Sequence, residues 1–405
     1  MSFEKCSGFC DMTPENTEKF RYTESIFRDE CLRHGYQEIR TPSLEYLYLF
    51  TAVGTLTPAR LNKVYSFLDW DGWSGERVVL RPDGTIPAVR FYIEHPEDIS
   101  RLFYIENMFT YDETGKKKRE SWQGGVELIG SNSALSDFEI VYLAKKILAR
   151  LGLEDVDIKL SHAGLLRSIL QCSGLEGARQ TEIFDEVLDG NSSGLLELRS
   201  DAAVGEVLSL LLEAPSAGFL KNIGAMLPEG MVDVKRELDN LIALAMLLEE
   251  SGSRFQVDLT SARGFEYYTG FTFRLFSGGE VVGGGGRYDA LVPLLGGPSK
   301  PAAGFALYFD PLIDLIREGS HGKERVLLNF KPEKLGEAIE VMDSLRDMDY
   351  IVSLDISGEE TTLCDLMVSI SSEGLVLSDL NEQVSCIFPT PGDLLESMRG
   401  RYCSG

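Results

Sequence analysis

Apolar positions in residues 14–34 recur at helical intervals, with Phe20, Ile26, Phe27 and Leu32 on the repeat, and predict a helix there. Pro14 stands at its start, where a missing N–H leaves no bond unmade. Gly35 closes the helix, Tyr36–Arg40 alternates like a strand, and Pro42 interrupts that alternation. Strand-like runs follow at Val78–Leu80, Leu102–Ile105 and Gly125–Ile129, and helical patterns at Thr85–Glu94 and Asp137–Leu151. Strands lie near helices without strict β–α–β alternation. The expected class is therefore α+β, a largely antiparallel sheet with helices packed against it.

Residues 163–250 change character. They are rich in Leu, Glu and Ala and carry a helical period, clearest in "NLIALAMLLEESG", so they are expected to be a helical insertion. Strands return at 254–260, 270–276 and 280–282, before four glycines lead into Arg287-Tyr288-Asp289. Ala302–Tyr308 reads as a strand and 310–318 as a helix. "EGSHGKE" (318–324) has the composition of a linker. The expected organisation is a core domain over 1–320 and a small acidic α/β domain over 326–405. In the latter, "RVLLNF", "YIVSLD", "GLVLS" and "VSCIFP" read as strands and 333–348 as a helix.

A chain of 405 residues has room for two or three domains. No window approaches 18 apolar residues and no basic-plus-apolar leader opens it, so neither a membrane span nor a signal peptide is expected. The seven cysteines are scattered and the four histidines isolated, which argues against a metal site and fits a reducing cytoplasm. A net charge of −25 argues against general nucleic-acid binding, which needs a basic surface to displace counterions. The basic run Gly115–Arg119 is short enough to be a solvated loop.

Several polar groups stand where a purely structural reading is strained. In "WQGGVELIG", Gln123 and Glu127 are four apart in a strand-like run and share a face, which either lines a polar cavity or is exposed. "LRPDGTIPAVR" puts Asp83 and Thr85 in a turn before a helix, where Thr85 would serve as the N-cap. "SARGFEYYTGFTF" sets Arg263 close to Glu266, Tyr267 and Tyr268, as a small polar ligand would require or as a solvated turn would allow. The glycines at 283–286 form neither a P-loop nor a dinucleotide fingerprint; they mark a close approach to the backbone.

Taken in order, these motifs resemble histidyl-tRNA synthetases. "CDMTPENTEKF…HGYQEIRTPSLEYLYLF" is similar to their opening and motif 1, "LRPDGTIPAVR" to their substrate turn, and "FTYDETGKKKRESWQGGVELIG" to class II motif 2. "ARGFEYYTG" resembles their histidine signature, and "GGGGRYDALVPLLGGPSKPAAGFALYF" the approach to motif 3. The resemblance implies a class II aminoacyl-tRNA synthetase-like antiparallel sheet flanked by helices. It also implies a histidine pocket lined by Asp83, Thr85, Gln123, Glu127, Arg263, Tyr267 and Tyr268. The acidic, amide and Thr85 groups would face the ammonium, and the tyrosines the ring.

The departures from that pattern matter as much. The motif 2 arginine that follows the phenylalanine is replaced by Thr110, after Phe109. The motif 3 arginine is replaced by Pro311, beside Asp310. Each such donor is worth roughly 3–4 kcal/mol at a phosphoryl transition state. Lys117 and Arg119 remain as possible anion contacts. Residues 326–405 carry 5 Lys/Arg against 15 Asp/Glu, a poor composition for reading an anticodon. A synthetase-like body of this kind is similar to the regulatory subunits of ATP phosphoribosyltransferase, a family paralogous to the histidyl-tRNA synthetases. That resemblance implies a non-catalytic chain without cofactor, partnered by the short catalytic subunit, with histidine as effector. It further implies a homodimer, built around a segment like Ile39–Leu49, within a larger hetero-oligomer. Neither nucleic acid nor membrane is an expected partner. The alternatives are a divergent histidyl-tRNA synthetase and a histidine-binding scaffold with another partner. The sequence leaves open whether histidine sits in the ancestral pocket or at an interface.

Overall fold

The computed structural model describes residues 4–52, 63–70, 75–112, 114, 117–188, 190–200, 204–212, 216–261, 267–316, 323–356 and 364–400. The chain divides into two compact units, Met1–Gly319 and Ser320–Gly405.

The strands of the first unit are, in chain order, β1 (Gln37–Glu38), β2 (Leu44–Tyr46), β3 (Ser66–Trp70), β4 (Gly75–Leu80), β5 (Ser100–Phe109), β6 (Glu120–Ile129), β7 (Asp157–His162), β8 (Phe255–Val257), β9 (Phe271–Ser277), β10 (Glu280–Arg287) and β11 (Ala302–Tyr308). Eight of them form one sheet in the order β1-β5-β6-β11-β10-β9-β7-β8. The six central strands are antiparallel, and only the short edges β1 and β8 pair in parallel. Strands β2, β4 and β3 make a separate small antiparallel sheet.

Alternation along these strands divides the sheet into two faces. One face is a dry core. Phe103, Val126, Leu128 and Phe305 pack there against helices Pro14–Arg33, Ala134–Arg150 and Phe309–Leu315. Phe27 of the first helix meets the rings of Phe103 and Phe309 at 6.2 and 6.0 Å. It fits because position 124 is glycine: a Cβ there would stand 2.6 Å from Phe27 Cε2. The other face carries the functional cavity, with helix Thr85–Glu94 alongside.

The stretch expected to be a helical insertion folds as helices from Ala163–Cys172 to Val232–Glu250 with their own core. In the last helix Val234, Leu238, Leu241, Ala245 and Leu248 are buried at intervals of three and four. Two elements differ from the pattern reading in an instructive way. Strand β10 continues past residue 282 through Gly283–Gly286, with a register irregularity between Val281 and Gly283; neighbours on both sides supply the ladder bonds that glycine's low propensity hides. Strand β7, "DIKLSH", lacks an apolar run and was not expected.

The second unit is a five-stranded sheet of β12 (Arg325–Phe330), β13 (Ile351–Leu354), β14 (Leu366–Ser371), β15 (Gly374–Asp379) and β16 (Val384–Phe388), ordered β13-β12-β14-β15-β16. Helices Leu335–Asp347 and Pro391–Arg399 cover its core of Val326, Leu328, Val341, Val368 and Leu394. Among the described residues no helix is long and apolar enough to cross a membrane, and no cluster of His, Cys, Asp or Glu could hold a metal.

Candidate functional site

Register explains the cavity. Residues opposite one another on paired strands point to the same face. One row across the sheet reads Tyr104, Gly125, Ala306, Gly284, Arg274, and the next reads Leu102, Glu127, Gly304, Gly286, Thr272. Small residues on three adjacent strands thus leave a floor without side chains. The result is a cavity of about 410 Å³, with Asp83, Thr85, Gln123, Tyr267, Tyr268 and Tyr288 among its walls.

Glu127 stands one row along on the same face as this floor, only 1% exposed. The Tyr288 hydroxyl donates to its Oε2, and the Tyr104 hydroxyl approaches Oε1 at 3.4 Å. A Cβ at Gly304 would collide with the same carboxyl group, so glycine is required beside it. Burial pushes the Glu127 pKa up to about 8; the Tyr288, Thr85 and Tyr104 hydroxyls pull against this and the nearby Asp83 charge adds to it. Asp83 is also buried, and its pKa is raised to about 6 by desolvation. Its Oδ1 accepts the Ile86 N–H at 2.9 Å, and its Oδ2 lies 3.4 Å from the Tyr267 hydroxyl. The helix N-terminus is therefore bonded by Asp83, with Gly84 as the N-cap residue, not Thr85 as the local sequence implies. Among the described residues neither Asp83 nor Glu127 is in an ion pair. Two buried carboxyl groups without a cation make a seat for a positively charged or hydrogen-rich ligand group.

The tyrosines form an aromatic wall. Tyr267 meets Tyr268 and Tyr288 edge to face, with centroids 5.2 and 5.6 Å apart. Tyr288 is held by its neighbour Arg287, a buried arginine that donates to Asp137 at 2.9 Å, to Asp289 at 2.9 Å and to the Ser131 carbonyl at 3.0 Å. Arg81 plays the equivalent part under the Asp83 turn. It pairs with buried Glu106 at 2.8 Å and donates to the Thr41 and Asn107 carbonyls, each at 2.8 Å.

The structure thus brings Asp83, Thr85, Gln123, Tyr267 and Tyr268 around one cavity, with Glu127 in the neighbouring row of the same face. Arg263 lies outside the described residues. Lys117 and Arg119 are placed elsewhere: Lys117 is exposed, while the Arg119 guanidinium donates to the Asp112 carbonyl and stacks 4.7 Å from the Tyr111 ring centroid. Asp310 has a partner that the sequence did not suggest. It accepts from Lys118 at 2.6 Å and from the Trp122 N–H at 3.2 Å, so it consumes a cation of the basic loop. Thr110 is exposed at the end of β5. Tyr104, Tyr288, Arg274 and Tyr308 were missed as site residues. The signal that could have found Arg274 is a cation inside the otherwise apolar strand "FTFRLF".

Fold and cavity together define a class II aminoacyl-tRNA synthetase-like protein. The histidyl-tRNA synthetase family profile matches residues 8–312. A histidine–tRNA ligase of Archaeoglobus fulgidus is 32% identical, over 88% of this chain and 87% of its own. An ATP phosphoribosyltransferase regulatory subunit of Dehalococcoides mccartyi is 48% identical, over 91% of this chain and 92% of its own. A crystal structure from Bacillus halodurans, described as an ATP phosphoribosyltransferase regulatory subunit/histidyl-tRNA synthetase, superposes with a TM-score of 0.77 at 26% identity, covering 90% of this chain and 95% of that one. The chain belongs to the histidyl-tRNA synthetase family and, within it, to the regulatory subunits of ATP phosphoribosyltransferase.

Proposed function

We propose that this chain is the non-catalytic subunit that a short ATP phosphoribosyltransferase catalytic subunit requires for activity, and that its cavity binds histidine as the feedback effector. The observation that carries the effector reading is the pair of buried carboxyl groups, Asp83 in the wall of a cavity of about 410 Å³ that three tyrosines also line, and Glu127 beside it, bonded to one of those tyrosines. Such a site offers acceptors to an ammonium, hydroxyls to ring nitrogens, and ring faces to an imidazole. It rejects ligands that leave its buried polar groups unpaired. The same geometry is poor for activating an amino acid with ATP. Thr110 and Pro311 supply no charge, and Lys118 is engaged by Asp310.

Regulation then follows from linkage: histidine must bind two states of the assembly unequally, and the bias passes to the docked catalytic chains. A homodimer fits the small sheet, whose face exposes Leu44, Tyr46 and Phe67, with Tyr48 stacked on Tyr46 at 5.2 Å.

The test is formation of phosphoribosyl-ATP by the short catalytic subunit, with and without this chain and then with histidine. Activity only with both chains, suppressed by histidine, is the expected result. A catalytic chain indifferent to this protein overturns the proposal, and histidine-dependent ATP–pyrophosphate exchange would replace it with synthetase activity. Histidine affinity unchanged in a Glu127→Ala, Tyr268→Phe double variant would remove histidine from this cavity.

A further inference from the structure

The cavity wall that carries Tyr268 is held from two sides. The sheet holds its N–H groups: the Arg287 carbonyl accepts from Thr269 at 2.8 Å and from Gly270 at 3.3 Å. The helical insertion holds its carbonyls. In the first insertion helix, Ala163–Cys172, the Ala163 N–H donates to the Gly270 carbonyl at 2.8 Å, and Arg167 Nη1 donates to the Tyr268 carbonyl at 3.1 Å. The same helix lies directly on the segment, since a Cβ at Gly164 would stand 2.7 Å from the Thr269 carbonyl oxygen.

Two further observations tie the insertion to this wall. The half-buried Tyr268 packs against both hydrophobic cores, that of the insertion and that of the cavity face. Arg167 is itself fixed within the insertion: its guanidinium carbon lies 4.3 Å from the centroid of the Phe184 ring, on the next helix, Gly177–Leu188. Arg167, Phe184 and Asp185 also line a cleft of about 350 Å³ between these two helices. One side chain thus reaches from the insertion's own cleft to the backbone of a residue that lines the cavity.

We infer that Arg167 is a positioning residue for the effector site, setting the Tyr268 ring through its carbonyl and making the helical insertion and the cavity one energetically coupled unit; this rests on the reading of the cavity as a histidine site. Arg167 does not touch the ligand in this assignment. It fixes the backbone from which the ring projects, so the packing of the insertion and the occupancy of the cavity bias one another. Such coupling is reciprocal: what orders the insertion favours histidine, and histidine orders the insertion.

The experiment is a double-mutant cycle on the full chain, read as L-histidine affinity by calorimetric titration. Arg167→Met keeps an apolar stem against Phe184 but loses the donor, and it should weaken histidine binding by about five- to thirtyfold. In a Tyr268→Ala background, where there is no ring to position, the same change should cost less than about threefold. Arg167→Lys, which restores a donor, should recover part of the affinity. Equal losses in the two backgrounds, as a merely structural role would give, overturn the inference, and so does wild-type affinity in Arg167→Met. Hydrogen exchange of the wild type keeps the test decisive if the methionine variant does not fold. Histidine should protect helix Ala163–Cys172 more than helix Pro14–Arg33 on the opposite face of the sheet, and equal protection overturns the inference. A wild type that binds no histidine overturns the histidine reading itself, and the role of Arg167 with it.

Discussion

Glu127 shows how one buried group couples ligand, pH and stability. Its pKa of about 8 in the folded chain lies well above the ordinary carboxylate value of 4.5. Between those two values the folded state keeps a proton that the unfolded chain has lost, so this residue's contribution to stability falls as pH rises through that window. Asp83, raised to about 6, acts with the same sign over the lower part of it. Glu127→Gln should therefore melt several degrees above the wild type at pH 8.5 but close to it at pH 5, while losing histidine affinity. Scanning calorimetry of the ligand-free proteins at both pH values decides this, and an equal difference at the two would contradict it. Arg287 makes the opposite kind of prediction. Removing its guanidinium strands buried Asp137 without its partner, so Arg287→Ala should cost about 3–5 kcal/mol in urea unfolding.

The strands turn these residues into a site, and glycine at fixed register positions is how they do so. The Tyr104 ring fills the space that a Cβ would need at both Gly84 and Gly125, so the Asp83 turn and β6 close on one aromatic ring. Gly125→Ala should displace that ring and destabilise the chain by about 1–3 kcal/mol through overpacking, with loss of histidine binding. Gly336, in helix Leu335–Asp347, has nothing within 4 Å of its would-be Cβ. Gly336→Ala should instead be neutral or stabilising by up to about 1 kcal/mol. Chemical denaturation of the two variants separates a glycine that makes space from one that merely occupies it. The elements most legible in the chain were those with local punctuation. Helix Pro14–Arg33 carries a proline at its start and a Thr13 hydroxyl accepting from Asn16, and helix Thr85–Glu94 follows a turn. Strand β7 was less legible because its stability comes from partners distant in sequence, and β10 because its glycines have low strand propensity although β9 adjoins it across a short turn.

For the whole molecule, charge and exposed apolar surface set what it can meet. The 15 acidic and 5 basic residues of 326–405 oppose phosphate binding, so no tRNA retention is expected at physiological salt in a filter-binding assay. The small sheet invites association. Tyr46 and Phe67 both stand opposite Val78 on the same face, 45% and 46% exposed. Sedimentation equilibrium of Tyr46→Asp with Phe67→Asp should show a shift from dimer toward monomer; an unchanged mass would place the two-fold contact elsewhere.

Period and punctuation alone determined the long helices, the helical insertion and the shared face of Gln123 and Glu127, because each depends on residues a few positions apart. The motif order also pointed to the family, and the missing arginines at 110 and 311 to a body that no longer activates amino acids. Only the tertiary structure decided which side chains share the cavity. Tyr308 and Arg274 arrive there through cross-strand register, which no single strand encodes, and Tyr288 through the turn just beyond β10. The pairing of Lys118 with Asp310, 192 residues apart, is of the same kind: an attraction between charges exists only once the fold has brought them within reach.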